Sequence, residues 1–131
     1  GVEVDVELLS PEAYFYQLDE RVGNMFDYGW VADYPDPENF LDLLLHSDHD
    51  TNNVGGYDNP KYDRLLELAR VEPDLATRMR QYRDAEQLLL QDAGIIPLFH
   101  SPDYALVKPN VIDFVIGPLG LPDLSRVSIE P

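Results

Sequence analysis

Cysteine is absent from the 131 residues, which excludes disulfides, zinc–thiolate centres and cysteine nucleophiles. Basic residues are scarce: nine Lys and Arg stand against 25 Asp and Glu, a formal net charge of −16. A field of that sign repels phosphate backbones and anionic headgroups. Nucleic acid and membrane surfaces are therefore disfavoured as partners, and cationic groups are weakly favoured. No apolar run is long enough to span a bilayer; the longest surrounds Leu43-Leu44-Leu45 and is broken by acids and by His46. Neither a G-x-S-x-G elbow nor a phosphate-binding loop occurs, and no motif asks for a cofactor. Repeats and low-complexity tracts are missing too. What is present is 44% hydrophobic and 11% aromatic residues. That is enough apolar surface for one folded domain rather than a disordered chain.

Gly1-Val2-Glu3-Val4-Asp5-Val6 alternates with period two and reads as a strand running to Leu8, not as a signal sequence. A processed leader or an internal start is the expectation here. Ser10-Pro11 opens a helix, with serine at the N-cap and proline where no donor is needed. Phe15, Leu18 and Val22 form its expected buried stripe, and Gly23 its stop. Met25 to Ala32 reads as a second strand. Asp36-Pro37 opens a helix with Phe40, Leu41, Leu44 and Leu45 inward, and Asn59-Pro60 opens another with Tyr62, Leu65, Leu66 and Ala69. Asp74 caps a longer helix facing Leu75, Met79, Tyr82, Ala85 and Leu89 inward and ending at Gly94. Strands are expected at Ile95 to Phe99, Tyr104 to Val107, Val111 to Ile116 and Val127 to Ile129. The pattern predicts an α/β fold with a mixed sheet, opened by a right-handed βαβ unit. Composition shifts near Pro102, where helical patterns give way to β patterns alone.

Three constellations carry candidate chemistry. Asp33 and Asp36 form a carboxylate pair of the kind glycosidases use, but Asp36 is already needed as a cap before Pro37, so no catalytic residue is assigned. His46, Asp48, His49 and Asp50 have metal-ligand chemistry. Asp48-x-Asp50-x-Asn52 also echoes a calcium loop, but Asn53 and Asn59 occupy the places of its glycine and bidentate glutamate. A solvated loop is the expectation, with no metal. Gly29-Trp30-Val31-Ala32-Asp33-Tyr34 offers a flat apolar wall beside a carboxylate that can take an ammonium group.

That last stretch, continued as Pro35-Asp36-Pro37-Glu38-Asn39-Phe40-Leu41, resembles the signature of the oligopeptide- and dipeptide-binding class of ABC-transporter extracellular solute-binding proteins. Asn52-Asn53-Val54-Gly55-Gly56-Tyr57-Asp58-Asn59-Pro60-Lys61-Tyr62-Asp63-Arg64-Leu65 resembles a second block of that class. Arg80 to Gln87 with Ile95-Ile96-Pro97-Leu98 resembles a third, and Leu106 to Val111 and Pro118-Leu119-Gly120 follow in order. The resemblance covers nearly the whole chain. It implies a non-enzymatic periplasmic or extracellular receptor that delivers peptides to an ABC permease. The fold implied is one lobe, the C-terminal one, of a two-lobed periplasmic-binding-protein type II architecture closing on its ligand. Residues 1–102 would be that lobe, and 103–131 a tail returning to the other. Peptides would bind by main-chain hydrogen bonds as an added strand.

In the resemblance, Asp33 matches the residue that pairs with the peptide α-ammonium, Trp30 and Val31 match ligand-lining positions, and Asn52, Asn53, His100 and Ser101 approach the pocket. Asp27 stands where some members carry an arginine that reaches a peptide carboxylate, which removes that contact. The class also includes receptors for nickel complexes, sugars and opines, so a non-peptide solute is the alternative. An autonomous interaction domain without transport is a further one. Members are several times longer than this chain. A tail without its partner lobe would be expected to fold back on the sheet or to exchange with a second copy as a homodimer.

Overall fold

The computed structural model describes all residues except Val2, Asp50, Asp103 and Pro131. The first residue of the first expected strand and one acid of the expected polar loop therefore lie outside the described residues. Four helices form in order: α1 (Pro11–Asp19), α2 (Glu38–Leu45), α3 (Pro60–Val71) and α4 (Leu75–Gln91). Four short strands follow: β1 (Val111–Ile112), β2 (Val115–Ile116), β3 (Pro122–Asp123) and β4 (Ser128–Ile129). The fold is α/β, with small sheets beside a helical core.

The start signals act as the sequence indicates. Ser10 Oγ accepts from Ala13 N, Asn59 Oδ1 from Lys61 N and Asp74 Oδ1 from Thr77 N. Each satisfies a backbone donor that the first helical turn leaves open. Helix α4 ends in a Schellman turn: Gly94 N donates to Leu89 O at 3.0 Å and Ala93 N to Leu90 O at 3.2 Å. The left-handed residue of that turn is Ala93, φ 54°, not Gly94. Glycine is needed at 94 for space, because a Cβ there would lie 2.7 Å from both Leu89 Cδ1 and Tyr57 Cδ2. Helix α1 ends the same way, with Arg21 at φ 52° and Val22 N donating to Gln17 O, so the chain leaves that helix before the expected stop at Gly23.

The core lies between α2, α3 and α4. Tyr62, Leu66 and Ala69 of α3 interlock with Tyr82, Ala85 and Leu89 of α4, all essentially sealed from solvent. The two alanines face positions where only a small side chain lets the helices approach. Leu41 and Leu45 of α2 and Tyr57 pack on this seam, and Tyr62 Oη donates to Leu41 O at 2.8 Å. Burial pushes the Tyr62 phenol pKa strongly up, as expected for a hydroxyl whose anion would lose its water. Truncating a residue such as Leu66 costs about 2–5 kcal/mol.

Four expectations are corrected. The α1 stripe is not buried: only Leu18 is covered, while Phe15 and Val22 are more than half exposed, because no other helix or strand packs against α1. On the other helices, Phe40 and Leu75 turn outward. The segments around Val4 to Leu8, Met25 to Ala32, Ile95 to Phe99 and Tyr104 to Val107 form no strand, so the opening βαβ unit does not form. A strand exists only through hydrogen bonds to a neighbour, and no described segment runs beside these. The segment Val111 to Ile116 becomes two strands, broken at Asp113 with φ 58°, a conformation aspartate tolerates.

Residues after Lys108 pair with one another. Strand β1 runs antiparallel to β4 and β2 to β3, the second pair nested inside the first. The inner turn closes through Gly120 N to Gly117 O. At the open end Glu130 N donates to Asn110 O and Asn110 Nδ2 to Glu130 O.

A candidate ligand-binding loop

The loop from Trp30 to Pro37 leads into α2, and its far end is clamped to α4. The N-cap of α2 is Pro37 rather than Asp36 and makes no side-chain cap bond; Asp36 Oδ1 accepts from Glu38 N at 2.9 Å from one residue further out. Its carboxylate also receives Arg78 Nη1 at 2.7 Å and Nη2 at 2.9 Å. The Arg78 guanidinium lies over the Tyr82 ring, 4.8 Å from its centroid, and donates to Tyr82 Oη. Arg78 holds the Asp36 carboxyl below its usual range and is itself held above its own. Asp36 is thus tied into an ion pair with α4.

Asn39, in the first turn of α2, has no exposed surface. Its Oδ1 accepts from Trp30 Nε1 at 2.9 Å and from Asp33 N at 3.0 Å. Its Nδ2 donates to Asp33 Oδ2 at 3.3 Å. One buried amide thus holds an indole edge, a backbone amide and a carboxylate. Trp30 remains 36% exposed and Val31 81%, so the ring and the neighbouring aliphatic side chain present apolar surface to solvent. Asp33 is exposed, and among the described residues no cation lies within ion-pair distance of it.

The other acids nearby are occupied. Asp42, 1% exposed, takes Arg70 Nη2 at 2.6 Å and Nε at 3.0 Å, with His49 Nε2 at 3.3 Å. Asp63 takes Ser47 N and Ser47 Oγ. Glu38 receives the Tyr34 hydroxyl. Among the described hydrogen bonds, Asp33 Oδ1 and Glu38 Oε1 are the oxygens of this group without a protein donor.

The remaining site candidates are positioned differently. Asn53 is buried and closes its own loop, with Nδ2 donating to Tyr57 O at 2.7 Å and Oδ1 accepting from Tyr57 N at 3.0 Å. Asn52 is half-buried beside it. Both follow the far end of α2, a helix of eight residues and so about 12 Å long. His100 and Ser101 are exposed in an extended segment, and no described hydrogen bond joins them to Trp30 or Asp33. In the polar loop, the His46 and His49 rings meet edge-on at 5.4 Å, and His46 Nδ1 accepts from Asp48 N. Among the described residues no group of three or more His, Asp or Glu is arranged to hold a metal ion. Two hollows, of about 680 and 160 Å³, lie elsewhere: one between α3 and α4 at Lys61, Leu65 and Leu88, the other at Asn53, Gly56 and Asp58.

Asn39, Arg70 and Arg78 had not been marked out as functional residues. Asn39, Asp42 and His46 recur at i, i+3 and i+7, a polar stripe beside the apolar one, and that spacing was a usable signal for Asn39 and Asp42. Nothing local pairs Arg70 with Asp42 or Arg78 with Asp36, 28 and 42 residues apart.

The chain is similar in sequence to proteins of the oligopeptide-binding class of solute-binding proteins. The periplasmic murein peptide-binding protein MppA of Escherichia coli (strain K12) is 37% identical over 109 residues, which are 81% of this chain and 20% of that protein. The periplasmic oligopeptide-binding protein OppA of Haemophilus influenzae is 34% identical over 111 residues, 82% of this chain and 20% of the relative. The solved unliganded open form of MppA matches with a TM-score of 0.55 at 33% identity, covering 63% of this chain and 16% of that one. This chain therefore spans about a fifth of the length of the curated relatives it matches. No family model matches it.

Proposed function

We propose that this chain is the amine-recognising part of a periplasmic or extracellular receptor that binds peptides for ABC import. The observation that carries the reading is Asp33: an exposed carboxylate without a cation, beside the half-open face of Trp30, while the neighbouring Asp36 and Asp42 are each held by an arginine. A peptide α-ammonium supplies the missing charge, and its first side chain can lie against the indole and Val31. The names of the relatives, murein peptide-binding and oligopeptide-binding, agree with such a ligand.

Residues 1–102 then form part of the C-terminal lobe of a two-lobed receptor, and residues 103–131 return toward the other lobe. The exposed apolar side chains of Val6, Leu8, Ile96, Leu98, Phe99 and Leu106 fit strands whose neighbours belong to that larger body. Such a site works by binding and closure and calls for no catalytic group. Asn52, Asn53, His100 and Ser101 keep supporting roles near the cleft, with Asn53 acting through the loop it closes.

The test is Asp33→Asn in a receptor carrying both lobes, titrated by calorimetry with a tripeptide and with its N-acetylated form. Losing one partner of a desolvated charge pair costs about 2–5 kcal/mol, so each change weakens binding by roughly thirtyfold or more. Affinities within twofold of the parent for both changes reject the reading.

A further inference from the structure

We infer that Asn39 is the positioning residue of this site, fixing Trp30 and Asp33 as a single unit and leaving one Asp33 oxygen for the ligand. The amine role of that oxygen rests on the function proposed above; the positioning does not.

The argument starts from burial. An amide sealed from water must satisfy its donors and acceptor internally, or it costs stability. Asn39 has no exposed surface, and it meets this demand through the loop rather than through the helix core. Oδ1 receives two donors, Trp30 Nε1 and Asp33 N, and Nδ2 reaches Asp33 Oδ2. Trp30 and Asp33 lie three residues apart on a segment without secondary structure, where their relative orientation would otherwise be loose.

Asn39 couples them to a rigid support. Its backbone N donates to Asp36 O at 3.1 Å, Asp36 is locked to α4 by Arg78, and one turn on, Asp42 is locked to α3 by Arg70. The donor side of the amide matters separately. Nδ2 holds Asp33 Oδ2 at 3.3 Å, while no described protein donor reaches Oδ1. An alkyl group at position 39 can do neither, and a hydroxyl has a single oxygen where the amide places separate acceptor and donor atoms.

The chain contains a single tryptophan, so Trp30 fluorescence reports on this unit alone. The informative variant is Asn39→Asp, which keeps the acceptor for Trp30 Nε1 and replaces the donor with a second carboxylate facing Asp33. Two carboxylates in one site raise one of their pKa values. When they share a proton the donor function is restored, and when both ionise they repel.

In the 131-residue chain, with helicity followed by circular dichroism, the variant should keep parental Trp30 emission at acidic pH. It should shift to the red, with greater acrylamide quenching, as pH rises through a value above the usual carboxylate pKa of about 4. The parent should show no such transition, and adding Asp33→Asn to the variant should abolish it. If Asn39→Asp alone does not fold, the double change, which exchanges amide and carboxylate, should restore both folding and parental emission.

In the two-lobed receptor, Asn39→Ala should weaken tripeptide binding by about tenfold or more. The fluorescence transition without any dependence of affinity on the peptide amine would retain the positioning and reject the proposed function. A folded Asn39→Asp chain whose Trp30 emission follows the parent at every pH overturns the inference, as does a double change that fails to restore an unfolded variant.

Discussion

Arg70→Met tests the buried charge at the centre of the helical core. The Asp42 side chain is 1% exposed and receives three close contacts from Arg70, at 2.6, 2.8 and 3.0 Å. The Arg70 side chain is 49% exposed. The pair is therefore asymmetric: one partner lies in the protein and the other at its surface. Removing the buried ion's partner leaves a carboxylate that cannot regain water, a change that costs about 3–5 kcal/mol in general. Here His49 Nε2 stays 3.3 Å away, which puts the expected loss near the lower end, about 3 kcal/mol.

The reverse change, Asp42→Asn, keeps an oxygen acceptor and lets the half-exposed guanidinium rehydrate, so it should cost only about 1 kcal/mol. Arg70→Met should thus unfold roughly thirtyfold more readily than Asp42→Asn, at about 1.4 kcal/mol per factor of ten. Urea titration at neutral pH, followed by helical ellipticity, measures both, with unchanged m-values confirming that stability rather than denatured-state compactness has moved. Equal losses, or a loss below 1 kcal/mol for Arg70→Met, refute the argument that burial of Asp42 makes the pair asymmetric.

At the end of α4, Ala93→Gly should stabilise the chain by about 0.5–1 kcal/mol by relieving a left-handed alanine. Gly94→Ala should destabilise it by about 1–3 kcal/mol by driving a Cβ into Leu89 and Tyr57; thermal melts with the opposite ordering contradict both. Asp36 titrates below its ordinary value of 3.8 because Arg78 bonds it. Its contribution is therefore complete above that value and is lost as pH falls through the lower folded one, so Asp36→Asn should flatten the acid limb of the stability profile. The exposed apolar segments predict self-association of the free chain at high concentration, reduced by Phe99→Lys and Leu106→Lys; light scattering that finds a monomer at every concentration argues against it.

Local rules reach a definite distance into this molecule. Ser10, Asn59 and Asp74 cap helices where serine, asparagine and aspartate followed by apolar periodicity place them. Tyr62, Leu66 and Ala69 face the core because 3.6-residue spacing leaves them no other side. The helix stops were misplaced because Gly23 and Gly94 look like terminators, while the left-handed residues just past the helix ends are Arg21, φ 52°, and Ala93, φ 54°. The strands around Val4 to Leu8 and Ile95 to Phe99 were misread because period-two patterning marks what a segment can do. Whether it does so depends on a neighbour that the local pattern does not reveal. In the candidate site, Trp30 and Asp33 stand out as residue types, but the amide joining them does not. Asn39 looks like an ordinary first-turn residue until its side chain is seen to turn back onto the preceding loop.

The clamp on α2 has a consequence for how such a loop can change over time. Asp36 and Asp42 fix the helix from the core side, and Asn39 carries that rigidity outward, while the Val31 side chain stands 81% exposed. Replacing Val31 by a larger, smaller or polar residue alters the surface beside Trp30 without opening a cavity or stranding a buried polar group, the two changes that most often threaten a marginally stable fold. Drift at that position is nearly neutral for folding, so the surface beside Trp30 can diversify between descendants while the anchoring residues stay put.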